Sequence, residues 1–173
     1  MKSGVKNTLV LVLICAVMAL LMAVTNHITA PVIAENEAKA TEKALQQVMP
    51  EGRDFVPVAL TDELPATVTE AYLEAGGGYV FKLKTAGYGA DFIIMCGVDA
   101  NGKVTGAVCL SSNETLGQEK EFGEHFVGLD GDGVSGVDTV AGATKTTAAY
   151  RAAVADAVSA AAILRAEAKG GAS

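Results

Sequence analysis

The sequence predicts an α+β fold in which one N-terminal transmembrane helix is followed by a small antiparallel sheet packed by helices. Three features support this prediction: an uncharged apolar run near the amino terminus, three strand-like stretches in the middle, and an alanine-rich stretch at the end. A chain of 173 residues, 50% of them hydrophobic, has room for one small domain behind a membrane anchor. Strands grouped ahead of helices are typical of an α+β domain.

The amino-terminal run has the length and composition of a single transmembrane helix. Residues 7–34 carry no formal charge, and residues 9–24 are apolar without a break. With its flanks, this run supplies the roughly 20 residues that span about 30 Å of hydrocarbon. Lys2 and Lys6 precede it, and lysine-rich flanks stay in the cytoplasm, so we expect the amino terminus inside and the domain outside. A cleaved signal peptide is the disfavoured alternative, because Pro31 follows the candidate cleavage site and no A-x-A-like pattern is present.

The part of the chain beyond the anchor is strongly acidic. Residues 1–34 contain two of the 13 basic residues and none of the 20 acidic ones, so residues 35–173 carry 11 basic against 20 acidic side chains, a net charge of −9. A surface of this sign repels nucleic acid and anionic headgroups. We therefore expect lipid contact through the anchor and no nucleic-acid partner.

Three segments are expected: a cytoplasmic tip and transmembrane anchor at 1–34, a helical extension at 35–52, and an extracytoplasmic domain at 53–173. The extension is expected to be helical because residues 34–49 are rich in helix formers and Pro50 ends that stretch.

Strand signals fill the first half of the domain. Clear strand patterns occupy residues 79–85, 91–98 and 103–110, whereas residues 55–60 are a weak candidate and residues 67–73 are ambiguous. The stretch 91–98 is almost entirely apolar, so we expect it to be central in the sheet. Asn101 and Gly102 favour a tight hairpin after it.

Helical and loop signals fill the second half. The sequence predicts a short helix, a glycine-rich acidic loop and an alanine-rich helix, at residues 115–127, 128–136 and 148–168. Phe122 and Phe126 are spaced to share one face of the first of these helices.

The cysteines do not suggest a disulfide. The predicted hairpin places Cys96 near Thr105 or Gly106 and Cys109 near Phe92, so the two sulfurs would lie about 13 Å apart along the strands. A disulfide needs Cα atoms within about 7 Å. Both cysteines are expected to be buried small hydrophobic residues.

Several familiar sequence motifs lack the neighbouring elements or ligands that their function requires. Residues 131–136 read G-x-G-x-x-G, but no strand precedes them and no helix follows directly, as a dinucleotide site requires. The same stretch lacks the Gly and Glu of a calcium loop and is expected to be a solvated turn. His27 and His125 have no partners at metal-ligand spacing. We assign no metal site and no catalytic residue.

The stretch DTVAGATKTT, residues 138–147, stands immediately before the alanine-rich helix. In one interpretation Thr144 merely caps that helix by accepting a backbone hydrogen bond. In the other, the helix start binds a phosphate, since free amides and the helix dipole favour an anion there. Gly142 and Ala143 would let the ligand approach the backbone, and Lys145 would help to neutralise its charge.

This stretch resembles the flavinylation motif of FMN-binding domains, in which an Asp precedes a hydroxyl-Gly-Ala-Thr core. Glu114-Thr115-Leu116-Gly117 resembles the Glu-Thr-Pro-Gly segment of the same family, and the hairpin before it is also similar. The anchor ending TNHITAPVIAENE resembles the membrane exit of the G subunits of Rnf electron-transport complexes. This chain departs from the motifs at Ala141, where a Ser or Thr is usual, and at Leu116, where a Pro is usual.

The resemblance implies a bacterial cytoplasmic-membrane subunit that carries FMN as a phosphoester on Thr144, made by a dedicated flavin transferase that recognises Asp138. It implies electron relay within an Rnf-type complex that moves electrons from ferredoxin to NAD⁺ and couples this transfer to ion transport. Other membrane subunits of the complex would be its partners. The remaining expected cofactor-binding residues are Glu114, Thr115, Leu116, Gly117, Val140, Gly142, Ala143, Lys145, Thr146 and Thr147.

Two alternatives stay open on the sequence alone. The chain could be a stand-alone anchored flavoprotein or part of the related sodium-pumping NADH:quinone reductase. It could also be a non-redox anchored module whose Gly-Ala-Thr loop binds a free phosphate ligand.

Overall fold

The computed structural model of the chain describes residues 2–89, 91–112 and 119–170. The chain divides into two compact units, Met1–Thr41 and Glu42–Ser173. Helix α1, Lys2–Val48, extends from the first unit into the second and contains Pro31. The second unit holds the sheet and the remaining helices.

Two helices of the described chain are long and apolar enough to cross a membrane by length and composition. The first, Lys6–Val48, contains an 18-residue stretch with a mean hydropathy of 2.8 that is not buried by protein, as expected of the predicted anchor. The most apolar 18-residue stretch of the second, Thr144–Gly170, has a lower mean hydropathy of 1.2, and 44% of it is buried inside the domain. Its apolar residues are accounted for by the core that it covers.

Within the described residues, five strands form one antiparallel sheet in sequential order: β1 Val56–Val58, β2 Val68–Leu73, β3 Tyr79–Thr85, β4 Phe92–Val98 and β5 Val104–Ser111. The three clear strand predictions are confirmed. The weak candidate forms only three residues of strand around Pro57, which cannot donate a ladder hydrogen bond. With the helices described next, this sheet confirms the predicted α+β class.

The helical elements after the sheet are α2 Glu119–Phe122, a 3₁₀ helix Gly123–Phe126, α3 Gly131–Ser135 and α4 Thr144–Gly170. Residues 113–118, where part of the predicted short helix falls, lie outside the described residues. The prediction of an irregular loop at 128–136 is wrong in part. Asp130 caps the short helix α3, its Oδ1 accepting a hydrogen bond from the Gly133 amide at 3.0 Å.

The main core lies between α4 and one face of the sheet. Alternate residues of β4 point into it, among them the fully buried Phe92, Ile94 and Cys96. The ring of Tyr150, on α4, packs against three phenylalanine rings at centroid distances of 5.6–5.7 Å, those of Phe92, Phe122 and Phe126. Burial of these aromatic rings dominates the energetics of the core.

The other face of the sheet is covered by the end of α1. Ala44, Leu45, Val48 and Met49 form a second core cluster with Val80 and Met95 of the sheet. Strand β4 is therefore buried on both faces, which explains its continuous apolar sequence. It is also an interior strand, as expected, since it pairs with β3 on one side and with the edge strand β5 on the other.

A pair of glycines lets the end of α1 approach the sheet backbone. Gly97 and Gly106 are opposite each other in register, and a Cβ atom at Gly106 would lie 2.8 Å from both Cα and O of Val48. The Thr105 hydroxyl donates to the Val48 carbonyl at 2.6 Å. This hydroxyl satisfies a terminal carbonyl of α1 that has no partner within its own helix.

The hairpin register differs from the sequence-based expectation by two residues. Cys96 pairs with Ala107 and Cys109 pairs with Ile94. The connection includes Lys103, and a bulge between Gly97 and Val98 adds a further residue on β5. The cysteines are not disulfide-bonded, as expected, although Cys109 is only half-buried.

The hydroxyl of Tyr150 is buried and has no hydrogen-bond partner among the residues that the structure describes. Burial raises the pKa of this hydroxyl well above its usual range, and the nearby Cys96 and Cys109 thiols add to the rise. A buried hydroxyl without a partner destabilises the fold by the free energy of its lost hydration.

We expect Gly106→Val to separate the end of α1 from the sheet, because the added carbons would overlap the backbone of Val48. Thr105→Val should lower the free energy of unfolding by about 1 kcal/mol because the hydrogen bond to Val48 is lost. Thr105→Ser keeps the hydroxyl and should retain most of that stability. Hydrogen exchange at residues 44–49 and thermal melting of the full chain in detergent check both effects. Normal protection of residues 44–49 in Gly106→Val would contradict this account.

Tyr150→Phe should leave the melting temperature unchanged or raise it, because the variant keeps the ring contacts and removes a buried unpaired hydroxyl. Phe126→Leu, which removes an aromatic ring from the same cluster, is the control and should lower the melting temperature. A clear loss of stability in Tyr150→Phe would show that the hydroxyl has a partner in the folded protein.

Candidate functional site

The candidate site is built from the loop at residues 137–143 and the first turn of α4. The helix begins at Thr144, and the Ala143 carbonyl accepts its first backbone hydrogen bond, from the Thr147 amide, at 2.9 Å. Ala143 therefore occupies the N-cap position, and it has no side-chain oxygen that could accept a hydrogen bond from the helix amides. The Thr144 hydroxyl instead points back toward the Val140 carbonyl, at 3.5 Å. The interpretation of Thr144 as the helix cap is wrong.

The loop reaches the helix through a tight turn at residues 140–143. The Ala143 amide donates to the Val140 carbonyl at 3.0 Å, and Gly142 has φ +86°. A positive φ at the third position is what a type II turn requires, and glycine adopts it without strain. A Cβ atom at Gly142 would meet nothing within 4 Å, so the space beside this turn is open.

Thr147 holds the turn from inside the domain. Its side chain is fully buried, and its hydroxyl donates to the Ala143 carbonyl at 3.0 Å. The same oxygen accepts a hydrogen bond from the Val140 amide at 3.1 Å. Both ends of the turn are therefore connected to one side chain of α4.

Arg151 holds the start of the loop from the next turn of α4. Its Nη1 donates to the Val137 carbonyl at 2.8 Å. Sequence reasoning missed this residue, although a useful signal was present. Arg151 follows Thr147 by four residues, so both side chains project from the same face of the helix.

The predicted site residues differ in their access to solvent. Those that a ligand could reach directly are exposed: Asp138, Gly142, Thr144 and Lys145. Val140 is half-buried, whereas Ala143, Thr146 and Thr147 are buried. The Thr144 hydroxyl is therefore exposed, next in the chain to the exposed Lys145 and at the positive end of a 27-residue helix.

The second predicted motif, Glu114, Thr115, Leu116 and Gly117, lies outside the described residues. The strand that leads to it, β5, ends at Ser111, which is paired with Ile93 near the start of β4. The adjacent Phe92 contacts Tyr150 of α4. Strand β5 thus leaves the sheet at the end of the domain where α4 begins.

A cleft of about 320 Å³ lies elsewhere, at the hairpin turn of β4 and β5, and its lining includes Glu74 and Asp99. Arg165, near the end of α4, donates to the Asp99 carbonyl, which places this cleft at the opposite end of α4 from Thr144. Partial burial raises the pKa of the Asp99 carboxyl, but hydrogen bonds from the Lys103 and Asn101 amides outweigh it, so this pKa lies below its usual value. The cleft does not include any predicted site residue.

Two family models and one characterised relative match parts of the chain. Residues 1–48 match the family described as the RnfG N-terminal region, and residues 87–159 match the FMN-binding domain. The second match includes the whole loop and the first turns of α4. The chain is also 33% identical over 127 residues to the G subunit of the Na⁺-translocating ferredoxin:NAD⁺ oxidoreductase complex of Acetobacterium woodii.

That alignment covers 65% of this chain and 61% of the relative, so the chain spans about three fifths of the relative's length. Residues 1–48 are thus similar to the RnfG N-terminal region, residues 87–159 are similar to the FMN-binding domain, and the aligned part of the chain is similar to an Rnf-type G subunit.

Proposed function

We propose that the chain is a membrane-anchored electron-transfer subunit of an Rnf-type complex, and that it holds FMN through a phosphoester on Thr144. The observation that carries this proposal is the placement of the Thr144 hydroxyl. It is exposed, directly follows an open glycine turn, and begins the long helix of the FMN-binding domain. α1 would anchor the chain, with Lys2 and Lys6 on the cytoplasmic side.

The residues at the helix start suit the phosphate of FMN. The helix dipole favours an anion there by about 0.3–1 kcal/mol at an exposed position. Ala143 does not supply a competing side-chain acceptor for the helix amides, and Gly142 leaves the approach open. The exposed Lys145 adds a positive charge next to the point of attachment.

Formation of the ester requires an activated flavin phosphate, because the phosphate of free FMN has no good leaving group. In our proposal the Thr144 Oγ1 attacks the phosphorus of the FMN half of a flavin adenine dinucleotide. The new Oγ1–P bond forms as the anhydride P–O bond breaks, AMP leaves, and the hydroxyl proton passes to a base of the flavin transferase. Asp138 is exposed on the same loop and is available to the transferase for recognition.

The isoalloxazine ring supplies the redox chemistry, and the protein supplies attachment and orientation. An ester bond prevents loss of the cofactor by diffusion outside the cytoplasm. The relative in Acetobacterium woodii is named as part of a Na⁺-translocating ferredoxin:NAD⁺ oxidoreductase complex. We infer the same kind of assembly here, with other membrane subunits as partners and electron transfer coupled to ion translocation.

The alternatives are less well supported. The match of residues 1–48 to the RnfG N-terminal region favours an Rnf-type role over one in a quinone reductase or as a stand-alone flavoprotein. The FMN-binding domain match argues against a non-redox module for a free phosphate ligand.

Thr144→Ala should abolish covalent flavin, because it removes the oxygen that forms the ester. The measurement is flavin fluorescence of the band after SDS gel electrophoresis, with intact mass, on chain coexpressed with a flavin transferase. Thr139→Ala, which removes a different hydroxyl from the same loop, is the matched control and should retain the band. A non-fluorescent wild-type band, or a fluorescent Thr144→Ala band, would refute the proposed linkage.

Gly142→Ala and Gly128→Ala should each lose about 1 kcal/mol of stability, since both glycines have positive φ and open space around Cβ. Only Gly142→Ala should also lower the flavin content, because the strained turn directly precedes Thr144. Thermal melting and the gel assay measure the two effects separately. Equal loss of flavin in both variants would count against a role for the turn.

A further inference from the structure

The loop that presents Thr144 is closed by a cycle of three hydrogen bonds. The Val140 amide donates to the Thr147 hydroxyl, that hydroxyl donates to the Ala143 carbonyl, and the Ala143 amide donates to the Val140 carbonyl. The distances are 3.1, 3.0 and 3.0 Å. A hydroxyl has one proton and two lone pairs, so one Thr147 side chain can make both of its bonds at once.

Ala143, the residue before Thr144, is part of this hydrogen-bond cycle. Ala143 is held at both its amide and its carbonyl, and its carbonyl also accepts the Thr147 amide at 2.9 Å. The next residue therefore leaves the turn in one fixed direction. Arg151 adds a fourth bond on the same helix face, to the Val137 carbonyl at the start of the loop.

The burial of Thr147 separates it from the residues that a ligand can contact. Its side chain is fully buried, whereas Thr144 and Lys145 are exposed. Its hydroxyl also makes a weaker contact with the Thr144 carbonyl, at 3.4 Å. All three hydrogen bonds of this hydroxyl are directed at the backbone of the loop and helix start, so a hydrogen bond to the cofactor would have to replace one of them.

We propose that Thr147 is a positioning residue for the modification of Thr144: its hydroxyl holds the turn so that Oγ1 of Thr144 is presented to the flavin transferase, with Arg151 supporting the start of the loop. The inference rests on the proposed function and differs from the sequence-based expectation that Thr147 contacts the cofactor. Preorganisation of a reacting group accelerates a reaction because fewer conformations must be excluded when it occurs.

The test is the initial rate at which a purified flavin transferase modifies the full-length chain in detergent, with flavin adenine dinucleotide as donor. Rates are measured well below the melting temperature of every variant. Thr147→Val keeps the shape and removes the hydroxyl, and should slow modification roughly tenfold through the loss of two bonds. Thr147→Ser keeps the hydroxyl and should restore a rate close to that of wild type.

Thr67→Val is the matched control. The Thr67 hydroxyl donates to the Asp156 carboxylate of α4 at 2.7 Å, so the same substitution removes a hydrogen bond to the same helix away from the loop. It should not slow modification. Hydrogen exchange gives a second readout, because the Val140 amide should lose protection in Thr147→Val and keep it in Thr67→Val.

Each outcome decides the proposal. A wild-type rate in Thr147→Val, equal slowing in Thr67→Val, or failure of Thr147→Ser to restore the rate would overturn it. If Thr147→Val does not fold, Arg151→Met replaces it, with slowing expected and an unchanged rate overturning the proposal. If the wild-type chain is never modified, the proposed function fails instead, and exchange of the Val140 amide still reports whether the hydrogen-bond cycle exists.

Discussion

Burial of strand β4 on both faces is the constraint on which the rest of the domain depends. One face is covered by α4 and the other by residues 44–49 at the end of α1. Fully burying a side chain such as Met95 or Ile94 contributes about 1.5–3 kcal/mol, so neither cover can be lost without a large loss of stability. The paired Gly97 and Gly106 are needed because the backbone of α1 at Val48 packs directly against them.

The same constraint gives the candidate site its rigidity. Helix α4 must remain on the sheet to complete the core, and its first residue is Thr144. The residues that follow, Thr147 and Arg151, face inward and hold the preceding loop. A single helix thus connects the packing of the domain to the position of the proposed attachment point.

The sequence predicted the parts of this protein that depend on local pattern. Alternating and continuous apolar residues located β3, β4 and β5, and the letters around Thr144 located the loop before α4. The hairpin register was not predictable, because a bulge between Gly97 and Val98 depends on packing against Val48 rather than on turn residues. The helix α3 was missed because its glycines are typical of a loop, although Asp130 caps it and Val134 is buried.

The role of Thr147 shows a different limit of sequence reasoning. Several hydroxyls close together suggested a set of ligand contacts, but the helical period buries Thr147 and exposes Thr144 and Lys145. Thr144 and Thr147, three positions apart in one motif, therefore have different surroundings. Only the direction of each side chain, which the sequence does not contain, distinguishes the proposed point of attachment from the proposed support.

The two edges of the described sheet limit strand addition by another chain. Strand β1 is three residues long with Pro57 at its middle, and at the other edge both backbone groups of Val104 are already paired with residues 128 and 129. Short, proline-containing and covered edges discourage strand addition by another chain. Another chain would therefore find a poor template along β1 and at the start of β5, and two copies of this domain would have little tendency to join sheet to sheet there.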